Sequence, residues 1–284
     1  MRIGILGYGS IGSRHGRNLL ALGHKIIIHD PAMAESLPTI EVIKQSDAVV
    51  IASPTSEHWK DILYCIEYNK PCFVEKPIAN CSPRSTAKTT LSYPLMVGYN
   101  MRFHPCVLKA REWLNDGRIG TPQWASFICA QFNDKPEYLR DGVTLNWSHE
   151  IDLALHLLGP AEVQAAAIDQ KDTVADIILW HWPCQTHIHL DYVTRPEHRG
   201  FSISGDKGLI IANLPERQIV LLGTDGIPKQ VERYQGSYDD DYVMEMVNFI
   251  ARVEGKGENT LGCTAAEAIE VLKVCLKAKK EAGL

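Results

Sequence analysis

The chain has 284 residues, which at about 100–200 residues per domain suggests two domains. Apolar residues make up 45% and charged residues 22%, with a formal net charge of -5. That balance is ordinary for a globular protein and argues against a basic nucleic-acid surface or a polybasic membrane anchor. No apolar run approaches the roughly 20 residues of a membrane span, and the short N-terminal run is cut by a glycine turn, unlike a signal peptide. The eight cysteines are scattered without a CxxC pair, so buried, reduced thiols in a cytoplasmic protein are expected.

The first hundred residues alternate short apolar runs with helical patterns. Strands are predicted at 2–6, 25–29, 47–52, 71–75 and 95–99, with helices at 11–22, 40–44 and 57–68. Uniformly apolar short strands between helices mark a parallel sheet covered on both faces. After about residue 100 the texture changes. Helices are predicted at 104–115 and 148–158. A series of strands follows at 123–131, 162–168, 174–182, 185–194, 199–204, 208–213 and 217–222, and helices at 239–253 and 264–281 close the chain. The expected fold is therefore α/β, with domains at 1–100 and 101–284. Period-two alternation over 174–193 suggests a sheet face that a second copy covers. Either Ile177, Leu179 and His181 or Ile178, Trp180 and Trp182 would form that face, giving a homodimer or homotetramer.

Gly7-Tyr8-Gly9-Ser10-Ile11-Gly12 falls between the first strand and the first helix. In that context it is a dinucleotide fingerprint. The first glycine permits the turn, the second admits a pyrophosphate, and the third lets helix and sheet approach. Asp30 ends the second strand, where a carboxylate accepts from ribose hydroxyls and repels a 2'-phosphate, so NAD is expected over NADP. Arg14 and His15 are read as a solvated helix face. Glu75-Lys76-Pro77 closes an apolar strand at the sheet edge where ligands sit, and the Lys76 ammonium can stabilise charge on a substrate oxygen. His149 begins a helix and is placed as a general acid/base. No metal is expected, because the face shared by His149, Asp152 and His156 lacks a fourth ligand.

The ordered set of the glycine turn, Asp30, Ser53-Pro54-Thr55-x-x-His58, Glu75-Lys76-Pro77, Gly98-Tyr99-Asn100-x-Arg102-Phe103-x-Pro105 and His149-Glu150-Ile151-Asp152 resembles the glucose–fructose oxidoreductase/inositol dehydrogenase (Gfo/Idh/MocA) family. The resemblance implies an N-terminal Rossmann domain with a doubly wound parallel sheet. It also implies a C-terminal α/β domain with an open, mainly antiparallel sheet that forms subunit contacts. It implies hydride transfer between nicotinamide and a sugar, cyclitol, sugar acid or nucleotide sugar. Lys76 and His149 would be catalytic. Ser53, Pro54, Thr55 and His58 would lie along the dinucleotide, and Glu75 and Lys76 near the nicotinamide ribose. Tyr99, Asn100, Arg102, Arg140, Asn146 and Trp147 are candidates for the substrate side, and a structural salt bridge is an equal alternative for Arg102. The Ser-His-Glu-Ile-Asp stretch resembles members of bacterial surface-sugar pathways. Two features depart from the pattern: Leu145 stands where many members carry an aspartate, and the family's upstream glycine cluster is reduced to Asp141-Gly142-Val143. Alternatives left open are a reductase of an imine or bilin-type substrate and a dinucleotide-binding regulator without turnover.

Overall fold

A computed structural model describes residues 1–34, 36–81, 94–135, 141–256 and 261–284. The chain divides into two compact units. One comprises Met1–Asn100 with Ser237–Leu272, and the other Met101–Gly236 with Lys273–Leu284. Ser237–Leu272 groups with the first unit although it lies within the 101–284 segment expected as the second domain.

In the first unit, β1 (Arg2–Leu6), α1 (Ser10–Ala21), β2 (Lys25–His29), α2 (Thr39–Gln45), β3 (Ala48–Ile51), α3 (Thr55–Glu67), β4 (Cys72–Glu75) and β5 (Leu95–Gly98) alternate. The sheet order is β14-β5-β4-β3-β1-β2, where β14 is Cys263–Thr264. β1 to β5 pair in parallel and β14 pairs antiparallel at the edge. Strands β1, β3, β4 and β5 are apolar on both faces because helices cover both. Gly4 lies against Val42 and Ser46 from α2, while its neighbour Ile5 faces Gly16 of α1 on the opposite side. The strand order reverses between β1 and β3, and their carboxyl ends form the crevice where α/β sheets bind ligands.

In the second unit, the eight strands run β13-β12-β11-β10-β6-β9-β8-β7. They are β6 (Pro122–Ala130), β7 (Glu162–Ile168), β8 (Val174–Trp180), β9 (Gln185–Asp191), β10 (His198–Gly205), β11 (Gly208–Asn213), β12 (Gln218–Gly223) and β13 (Pro228–Arg233). Only β6 and β9 pair in parallel; the other described pairs are antiparallel. Helices α4 (Pro105–Asn115), α5 (Val143–Asn146) and α6 (His149–Leu158) pack on this sheet. Ala175, Ile177 and Leu179 are buried, so the alternate set faces outward. The register continues the outward face as a row from Ile178 through His187, Ser126, Ser202 and Ile211 to Val220.

Helix α7 (Tyr238–Val253) belongs to the first unit and places Phe249 against Phe73 of β4. It starts with a reciprocal capping box between Ser237 and Asp240. The last helix, α8 (Ala265–Glu281), contains the division between the units. All eight cysteines carry free thiols, and only Cys81 is exposed. Among the described residues, no helix is long and apolar enough to cross a membrane.

Candidate cofactor and catalytic site

The glycine turn follows from steric limits at two positions and open space at a third. Gly7 has φ +88, and a side chain there would meet the backbone of Ala52 at the end of β3. A Cβ on Gly12 would meet the Gly7 carbonyl oxygen at 2.0 Å, so only glycine lets α1 start this close to β1. Gly9 precedes α1, and a Cβ there meets nothing within 4 Å. The first turn of α1 therefore has open space beside it and no side-chain cap to compete for its N–H groups. This cradle fits a dinucleotide pyrophosphate.

Asp30 follows β2 and accepts from the backbone N–H of Tyr8 at 2.6 Å and of Ala32 at 2.8 Å. The Tyr8 N–H chiefly, with Ala32, holds its carboxyl below the usual carboxylate range. Asp30 thus presents a fixed negative charge beside the glycine turn, in the position and charge state that suit a ribose diol.

At the end of β3, the Ser53 hydroxyl donates to Asp61 at 2.7 Å, and burial pushes the Asp61 carboxyl up. Pro54 is exposed and Thr55 half-buried at the start of α3. His58, expected along the dinucleotide, is 2% exposed and turned inward, between the carbonyls of Ser53 and Pro77. Glu75, expected near the ribose, is also turned inward. Its Oε1 lies 2.6 Å from Nε2 of His15, and its Oε2 accepts from the Lys76 N–H at 3.3 Å. Lys76 itself is half-buried at the carboxyl edge of the sheet.

His15 corrects the reading of a solvated helix face. It is fully buried, edge-on to Phe73 and Tyr242. The signal was present in the sequence: Gly12, His15, Gly16 and Leu19 share the buried stripe of α1. Glu245 of α7 joins the pair, with one potential ligand atom from each of His15, Glu75 and Glu245 within 4.8 Å of the others. Arg14, by contrast, is on the outer side, pairing with Asp239 at 3.2 Å and lying over the Tyr242 ring.

In the second unit, His149 is the first residue of α6 and is 6% exposed. One turn on, Asp152 is buried in a bidentate pair with Arg102, whose Nη2 and Nε lie 2.6 and 2.9 Å from its carboxylate oxygens. Arg102 is 1% exposed, with its guanidinium engaged by the Asp152 carboxylate. The same pair removes Asp152 from the metal face considered with His149 and His156. Glu150 is likewise buried against Arg199, at 2.7 Å. Tyr99 and Asn100 are buried, and Asn146 and Trp147 are nearly so, with Trp147 edge-on to Tyr192. Leu145 is buried in α5, beside Thr144, which is tied to Asp172. Arg140 lies outside the described residues.

Residues 130–283 match the model of the oxidoreductase family's C-terminal alpha/beta domain (GFO_IDH_MocA_C). The chain belongs to this family. An inositol 2-dehydrogenase of Rhizobium meliloti (strain 1021) is 29% identical over 297 residues, covering 91% of this chain and 90% of that protein. The solved structure of a putative myo-inositol dehydrogenase from Sinorhizobium meliloti 1021 is 25% identical with a TM-score of 0.79, over 100% of this chain and 97% of that one. An oxidoreductase from Agrobacterium radiobacter, solved in complex with NAD+, L-tartaric acid and magnesium, shares the fold. Its TM-score is 0.83 at 19% identity, over 100% of this chain and 96% of that one. Gfo/Idh/MocA membership accounts for both sheets, the parallel one and the mainly antiparallel one.

Proposed function

We propose that this Gfo/Idh/MocA protein is an NAD-dependent dehydrogenase that interconverts an alcohol and a ketone on a sugar or cyclitol. The observation that carries this reading is the open glycine cradle at α1 with the ionised Asp30 beside it, on the sheet edge that also carries Lys76. The named inositol dehydrogenases among its relatives favour a cyclic polyol. NAD, when bound, supplies the hydride acceptor or donor.

The N–H groups of the first turn of α1 would hold the pyrophosphate, and Asp30 would accept from the adenosine ribose hydroxyls. Because Asp30 is a fixed anion, it disfavours a 2'-phosphate, and NAD is preferred to NADP. Lys76 stabilises negative charge on the substrate oxygen, and His149 takes or returns the hydroxyl proton at its imidazole. The second unit supplies the substrate side. The outward sheet face with Ile178, Trp180 and Trp124 supplies the contact for a second copy. The test is to titrate the protein with NADH and NADPH by fluorescence, then follow nicotinamide reduction with a panel of inositols and aldoses. Tight NADH binding with turnover on a cyclic polyol supports the reading; binding without turnover across the panel in both directions opposes it.

A further inference from the structure

The segment that carries Lys76 is gripped from both flanks by buried histidines. On the near side, Nε2 of His15 holds Oε1 of Glu75 at 2.6 Å. On the far side, Nδ1 of His58 lies 2.9 Å from the Pro77 carbonyl oxygen, and its Nε2 lies 2.8 Å from the Ser53 carbonyl oxygen. A carbonyl oxygen only accepts, so the two His58 bonds coexist only when both ring nitrogens carry hydrogen. We propose that His58 is a positioning residue for Lys76, an imidazolium tie that joins the carboxyl ends of β3 and β4 through both of its N–H groups. The proposal rests on the role given to Lys76 above, but the state of the tie can be read without turnover.

The surroundings of His58 make the tie sensitive to protons. Burial pushes its pKa below the ordinary histidine value. The Pro77 and Ser53 carbonyls, with the carboxylates of Glu75 from β4 and Asp61 from α3, pull the other way. Glu75 in turn is shared with His15 from α1. When His58 loses a proton, one ring nitrogen faces a carbonyl oxygen lone pair to lone pair, and that side of the tie opens. Since a misplacement of about 1 Å can cost on the order of a hundredfold in rate, a tie next to the catalytic lysine has kinetic weight.

The test uses the whole protein labelled with ¹⁵N-histidine. On the acid side of its transition, His58 should show two ring N–H protons protected from solvent exchange, and one should disappear as the pH rises. A single ring proton on His58 at every pH where the protein stays folded overturns the tie. With substrate, on the acid side of the His58 transition, His58→Phe should lower kcat by about 10- to 100-fold while NAD affinity stays nearly unchanged. His58→Gln, which keeps an N–H donor, should recover part of that loss, and its kcat–pH profile should lack one ionisation. Equal losses in both variants, with the wild-type pH profile retained, contradict a positioning role. Should His58→Phe fail to fold, His58→Gln and the spectra decide. If Lys76→Ala keeps full turnover, the catalytic reading fails while the spectral result on His58 stands by itself.

Discussion

In the first unit, beside the buried His15–Glu75 pair, two polar side chains are bonded to backbone groups at the ends of strands. Asp30 takes the N–H groups of Tyr8 and Ala32, and His58 meets the carbonyls of Ser53 and Pro77. In the second unit, they are bonded mostly to each other: Arg102 to Asp152, Arg199 to Glu150, and Asp172 to Thr144 and Lys279. The two histidines that bridge to backbone show the contrast at a single residue type. His58 meets two acceptors, whereas Nδ1 of His104 accepts from the Cys106 N–H and its Nε2 donates to the Leu214 carbonyl. One arrangement asks for a charged ring and the other for a neutral one. The strand-end polar groups lie at the edge proposed to take the ligand, and the paired ones join elements of the second unit.

Breaking a scaffold pair should have the largest effect on stability. Arg102→Met takes the guanidinium away from the buried Asp152 carboxylate, and the cost expected is about 3–5 kcal/mol. Urea unfolding checks this, and the double change Arg102→Met with Asp152→Leu should recover much of the loss.

The neutral histidine gives the next effect. Burial chiefly, then the Arg217 guanidinium, pushes the pKa of His104 down to about 3. The unfolded chain binds a proton near pH 6.5, so between these values it holds more protons than the folded chain. The stabilisation is complete above about pH 6.5 and drains away as pH falls toward 3, by up to about 3 kcal/mol at pH 4. His104→Asn keeps an acceptor for the Cys106 N–H but does not titrate. Its unfolding free energy should therefore change less between pH 7 and pH 4 than that of the wild type.

The ligand edge should respond in affinity rather than stability. Asp30→Ser removes the anion beside the glycine turn and should narrow the preference for NAD over NADP by about 10- to 100-fold, the scale of a charged hydrogen bond. The ratio of the two dissociation constants, from fluorescence titration, gives the answer. The smallest effect on the folded subunit is expected at the outward sheet face. Trp180→Asp should leave the melting temperature within a few degrees of the wild type yet weaken self-association, read by light scattering across a dilution series.

The same contrast explains what the sequence made legible. Strands β1 to β5 were readable because a doubly covered parallel strand must be a continuous apolar run, as in Ala48–Ile51, whereas the two-residue β14 at the antiparallel edge was missed. The glycine turn and Asp30 were readable because backbone geometry fixes their spacing. Helix α7 matched its predicted range, but an amphipathic pattern does not say which sheet it covers, so Phe249 packing on Phe73 was not foreseeable. Strand β13 was missed because it is an edge strand rich in charge, with Lys229, Glu232 and Arg233. Helix α5 was missed because it has four residues and begins at Gly142, whose φ of +79 and closeness to Asp172 are tertiary facts. Arg102 was readable as either a substrate contact or a structural salt bridge, but its partner Asp152 was not, since it lies 50 residues away, a separation that no motif encodes. The inward turn of Glu75 and His58 was hidden for the same reason, since His15 and Pro77 meet them only in the fold.

The account stands most directly on the role of Lys76, and single-turnover reduction of NAD by a cyclic polyol tests it. Wild type and Lys76→Ala are each saturated with NAD, mixed with substrate, and followed by nicotinamide absorbance. The account predicts equal NAD binding and hydride transfer slowed by about 10²- to 10⁴-fold in Lys76→Ala. Equal transfer rates in the two proteins would contradict it.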